Sequence, residues 1–192
     1  MASASRIDLT NQFLIAMPGM ADETFAGTVV YLCEHNEKGA VGLVINKPID
    51  IKLRNLFEKV ELALPHDTLA EQPVYFGGPV QTERGFVLHE KLGEDATHSS
   101  TLSIPGGLAM TTSKDVLEAM SEGGGSKKVL ITLGFSGWQA GQLEDELGRN
   151  GWLTVGADHA VIFDTPIESR YQRALALLGI DPRMLSQEAG HA

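Results

Sequence analysis

The chain has 192 residues, of which 43% are hydrophobic and 21% charged, a globular composition that argues against disorder. A chain of this length buries roughly 70% of its unfolded surface, enough for one core without disulfide or metal, so a single domain is expected over the whole chain. Fifteen Lys and Arg face 25 Asp and Glu, a net charge of −10. That balance opposes direct nucleic-acid binding, whose affinity comes largely from neutralising phosphates.

The lone cysteine, Cys33, rules out an internal disulfide and fits a reducing compartment. The first apolar run, Phe13 to Met17, is too short for a secretory signal, and no run approaches the roughly 20 apolar residues of a membrane span. A cytoplasmic protein without a membrane segment is the expectation.

Taken in chain order, Gln12–Met17 reads as a short strand ended by Pro18-Gly19. Thr28–Glu34 and Ala40–Ile45 are β-branched runs around a polar Asn/Gly loop, which predicts a hairpin. Asn46-Lys47-Pro48 stops the second strand, and Ile51, Leu53, Leu56, Phe57 and Val60 recur at helical spacing, predicting a helix over 51–60. Val74–Phe76, Gly85–His89, Leu102–Ile104 and Leu108–Met110 read as strands punctuated by glycine and proline. Ser113 is placed to cap a helix over 114–121, closed by Gly123–Gly125. Val129–Leu133 reads as a buried strand, 138–149 as a helix with Glu144–Glu146 on its solvated face, and Trp152–Val155 and Ala160–Phe163 as strands. Ile167, Tyr171, Ala174, Leu175 and Leu178 mark the clearest amphipathic helix, ended by Gly179. Turn-linked strands first and mixed elements later give an α+β class rather than a doubly wound parallel sheet.

Several segments could carry chemistry. Gly134-Phe135-Ser136-Gly137-Trp138 reads as a Gly-rich strand-to-helix turn, whose amides could hold an anion. Ser136 there is either an N-cap, part of a ligand site or a nucleophile, although a nucleophile elbow would require glycine where Trp138 stands. Gly77 and Gly78 allow close backbone approach to a ligand, or simply form a turn. Asn46 and Lys47 place an amide and an ammonium at a strand end, where they could line a cleft or merely end the strand. The candidate ligand-binding set is therefore Asn46, Lys47, Gly77, Gly78, Ser136, Gly137 and Trp138. Gly123–Lys128 lacks the phosphate-loop spacing. The six histidines show no metal-ligand spacing, so neither metal nor cofactor is expected. Cys33 reads as a buried small hydrophobe.

Three segments in this order, YLCEHNEKGAVGLVINKP (31–48), FGGPV (76–80) and GFSGWQAGQLEDELGRNGWL (134–153), resemble the YqgE/AlgH family of bacterial proteins. The likeness runs from about Phe13 to about Leu178, which would make that span the domain core between short flexible termini. The resemblance implies a cytoplasmic α+β protein with a bifurcated, mainly antiparallel β-sheet flanked by helices. It implies no established catalytic activity and supplies no catalytic residues. Some members have been called transcriptional regulators through a link to alginate production. The resulting expectation is a non-catalytic binding or regulatory protein with a protein or small-molecule partner. The alternative is a small-molecule or anion-binding enzyme using the Gly134–Trp138 turn.

Overall fold

The central organising element is one long strand. The computed structural model of the chain describes residues 8–20, 22–65, 67–91, 101–112, 115–122 and 128–179. Among them ten strands join in one curled sheet, together with several short helices, a broadly α+β arrangement. The strands are β1 (Gln12–Ala16), β2 (Val29–Asn36), β3 (Gly39–Val44), β4 (Pro48–Lys52), β5 (Pro73–Phe76), β6 (Val80–Glu90), β7 (Thr101–Ile104), β8 (Leu108–Thr111), β9 (Val129–Gln139) and β10 (Trp152–Gly156). The helices are α1 (Leu53–Lys59), α2 (Asp67–Ala70), α3 (Asp115–Ser121), α4 (Gln142–Gly148), α5 (His159–Phe163) and α6 (Arg170–Leu177), with a 3₁₀ turn at Ile167–Ser169 just before α6.

The main path of the sheet runs β10-β1-β2-β3-β9-β6-β8-β7, antiparallel throughout. On one edge of β9 the sheet forks. Thr132 and Leu133 pair in parallel with Tyr75 and Phe76 of β5, while Ser136 to Gln139 pair antiparallel with β3. Among the described strands, β4 then pairs only with β5. Gly134, at φ +80, is the hinge of the fork. Before it Leu130 faces one core cluster and Ile131 another; after it Phe135 faces the first cluster and Trp138 a third. Side chains on a regular strand alternate faces with period two. The odd spacing from Leu130 to Phe135 therefore shows that the chain flips its faces at Gly134.

Each cluster has its own helices. Val161, Ile162, Ala174 and Leu175 of α5 and α6 pack with Phe13, Tyr31, Leu43 and Ile45. Leu143 of α4 packs with Trp138, Trp152 and Leu32. Leu53, Phe57, Val116 and Met120 of α1 and α3 pack with Val74, Val87 and Ile131. Buried on both faces, β1 carries a continuous apolar run instead of an alternating one.

The β2–β3 hairpin forms as its pattern predicts, with Asn36 opposite Gly39 across a two-residue turn. Three other expectations are corrected. The predicted helix over 138–149 gives up its first residues to β9, and α4 begins only at Gln142. Packing wins over local pattern here: Trp138 is drawn into the core opposite Ala40 of β3. Ala160–Phe163 is helical, because Asp158 caps it by accepting from the Ala160 amide at 2.9 Å. Asn46-Lys47-Pro48 does end β3, but Pro48 also starts the edge strand β4, to which Ile51 belongs, so the helix predicted over 51–60 shortens to α1. Ser113 and Gly123–Gly125 lie outside the described residues. No described helix is long and apolar enough to cross a membrane.

Candidate functional site

The two glycine motifs meet each other at the fork. The Gly77 amide donates to the Leu133 carbonyl at 3.0 Å, and the Gly77 carbonyl accepts from the Val44 amide at 2.9 Å and from the Ser136 hydroxyl at 3.0 Å. A Cβ on Gly77 would stand 2.3 Å from the Gly134 carbonyl oxygen, and one on Gly78 (φ +153) 2.2 Å from the Phe135 carbonyl. Glycine is required at these positions so that two backbones can touch. Gly137 lies within β9 opposite Val41. The expected strand-to-helix turn at Gly134–Trp138 is thus a strand interior, and Ser136 caps no helix. Its side chain is fully buried with its hydroxyl engaged.

Trp138 is also structural. Its indole N–H and that of Trp152 both donate to Glu146 Oε1, at 3.0 and 2.9 Å, and Gln142 holds the other carboxylate oxygen at 3.0 Å. Phe25 completes the aromatic cluster, stacked 6.1 Å from Trp138 and edge-on 5.5 Å from Trp152. Glu146 is therefore no mere solvated face, and neither is Glu144, which pairs at 3.2 Å with the Nε2 of a buried His35. His35 Nδ1 accepts from the Leu9 amide at 3.0 Å, leaving Nε2 to carry the proton toward Glu144.

Cys33 is buried at a bulge in β2, as expected, and burial pushes its thiol pKa up, with the Glu34 charge adding to the effect. His89 is likewise internal, its Nδ1 donating to the Glu90 carbonyl and its Nε2 2.8 Å from the Thr111 hydroxyl. No group of three His, Cys, Asp or Glu able to hold a metal is found among the described residues.

Asn46 and Lys47 sit elsewhere. The Asn46 carboxamide accepts from the Val29 amide and donates to the Gly27 carbonyl, both at 2.9 Å, which ties the end of β3 to the start of β2. Asn46 also edges an open cleft of 590 Å³, whose other walls include Gly27, Pro48, Glu168, Tyr171 and Gln172. Lys47 is half-buried, with its ammonium 3.7 Å from where a Gly27 Cβ would stand. The Tyr171 hydroxyl donates to the Ala16 carbonyl and so fixes α6 against β1.

A second cleft, of 330 Å³, adjoins the first across Glu168 and is lined by Gln72, Tyr75, Asp164, Thr165 and Arg170. Arg170 is only 5% exposed. It donates to the Thr165 and Ile45 carbonyls and lies 5.2 Å from the centre of the Tyr75 ring. Burial raises the Tyr75 pKa, against the opposing pull of this guanidinium. The structure thus groups Asn46 with Glu168, Tyr171 and Arg170, while Gly77, Gly78 and Ser136 form a separate knot inside the sheet. Arg170 was legible in one respect: it is a charge three residues after Ile167 and four before Ala174, on the apolar stripe of α6.

The AlgH-like family model matches residues 13–183. The chain belongs to the AlgH-like family. A UPF0301 protein of Ralstonia nicotianae is 68% identical over 97% of this chain and 96% of its own. Another, from Burkholderia cenocepacia, is 64% identical over 98% of each. The solution structure of the AlgH protein from Pseudomonas aeruginosa is 51% identical, covers all of both chains and superposes with a TM-score of 0.77. A crystal structure from Corynebacterium diphtheriae has the same fold at 20% identity, with a TM-score of 0.70 over 90% of this chain and 88% of its own. The AlgH-like fold therefore extends well beyond the sequences that resemble this one closely.

Proposed function

We propose that this AlgH-like protein is a non-catalytic binding protein of the bacterial cytoplasm. Its ligand region is the corner where residues 46–48 meet residues 164–172. One observation carries the reading. Two adjoining clefts share Glu168 at this corner and present an amide, a phenol, carboxylates and a guanidinium. Ser136, Cys33, His35 and His89 are instead buried, while His159, half-buried, lines neither cleft. Any regulatory role acts in this reading through a bound small molecule or protein. Direct DNA contact is disfavoured by ion pairing as well as net charge, since Lys52 and Arg54 both pair with Glu71.

A metabolite screen by thermal shift tests the proposal. A ligand that raises Tm in the wild type, and loses that effect when Gln172 or Glu168 is replaced by alanine, is the expected result. Turnover of a screened compound by the purified protein would overturn it.

A further inference from the structure

Arg170 is a buried cation with no countercharge among the described residues. Among the described residues no carboxylate pairs with it; two of its N–H groups go to main-chain carbonyls, and Tyr75 offers a ring and a hydroxyl. A guanidinium carries five N–H donors in a planar fork suited to a carboxylate. Burying a charge without an opposite charge is costly, and carbonyl oxygens offset that cost only in part. Beside this group lies the 330 Å³ cleft, at the small end of the range of about 300–1,000 Å³ typical of ligand sites.

The lining of the cleft limits what can enter. Leu130 and Ile162 give it apolar wall. Asp164 and Glu168 are exposed residues of its lining. Asp164 is neutralised by Lys128, whereas Glu168 has no ion pair among the described residues. Positive charge therefore lies deep and uncompensated negative charge lies at the mouth. A phosphate dianion would meet the second as repulsion, and a simple amine would meet the first. A small molecule with a carboxylate at one end and an ammonium beside it matches both.

The geometry points to a free α-amino acid with an apolar side chain, its carboxylate on Arg170 and its ammonium toward Glu168. This rests on the corner being a binding region and adds the class of its ligand. Its consequence is that the protein senses or carries an amino acid.

The test is a ¹⁵N chemical-shift titration with three probes: L-leucine, 4-methylpentanoate, which lacks the amine, and 3-methylbutylamine, which lacks the carboxylate. L-Leucine is expected to shift the Tyr75, Thr165 and Arg170 signals, 4-methylpentanoate to do so more weakly, and the amine to have no effect. Glu168→Gln, at an exposed site that leaves the fold intact, should weaken L-leucine about threefold, to the level of the carboxylate alone. Arg170→Gln should abolish both responses. Silence of L-leucine, equal binding of leucine and 4-methylpentanoate, or an unaffected Glu168→Gln variant would each overturn the assignment. If another compound from the screen binds the corner while leucine is silent, the amino-acid assignment fails and the binding role stands. Silence of every compound at the corner removes both.

Discussion

Glu146, half-buried, accepts hydrogen bonds from two tryptophans through one oxygen, and that contact shows how this protein uses charge at the margin of its core. The carboxylate anchors α4 to β9 and β10 at the same time. Removing it strands two indole N–H groups that are shielded from water. Glu146→Ala should therefore cost about 1–3 kcal/mol in urea unfolding and shift the tryptophan emission to the red. An unchanged midpoint and spectrum would mean that the indoles find other acceptors. Cys33 makes the complementary case. Its thiol is buried and its pKa raised, so the reactive thiolate is disfavoured in the folded state at neutral pH. Stoichiometric labelling by a thiol reagent is expected only in denaturant; rapid labelling of the native protein would contradict the burial.

At the scale of elements, the fork at β9 depends on backbone contact. Gly78→Ala should destabilise by about 3 kcal/mol, since the added methyl would press on the Phe135 carbonyl. Gly141→Ala is the natural control. It has φ +76 and open space around it, so it should cost only about 1 kcal/mol of backbone strain. Equal effects would place the demand for glycine in φ alone. This contact also explains what could be read from sequence and what could not. The β2–β3 hairpin was legible because its turn and its alternation are local. The course of β9 through Gly134–Trp138 was not, because the partners that make it a strand are Val41 and Gly42, nearly a hundred residues earlier. Asp158 did announce α5 locally, but four apolar residues fit a strand equally well. Among the site candidates, Gly77 and Gly78 read as open to a ligand or a turn and Ser136 as a separate motif; in the fold they approach each other. Asn46 was legible as a cleft residue, whereas Arg170 needed the packing of α6 to acquire meaning.

At the scale of the whole molecule, acidity and ion pairing act in one direction. Among the described cations, Lys52 and Arg54 converge on Glu71, and Lys128 binds Asp164. The Glu71 carboxyl is held below its ordinary pKa, chiefly by its hydrogen bond from Lys52 and also by the Arg54 charge. That pairing persists above the usual carboxylate range and is lost as pH falls through the lowered value. At neutral pH the chain should thus show no binding to duplex DNA even at low salt, measured by fluorescence anisotropy; binding with a steep salt dependence would contradict this. What the molecule does offer is the corner around Glu168. The most direct test is to map by ¹⁵N chemical shift where a ligand from the metabolite screen binds. The account predicts perturbations concentrated at Gly27, Asn46, Tyr75 and residues 164–172. Perturbations centred on Gly77, Gly78 and Ser136, with the corner silent, would contradict it.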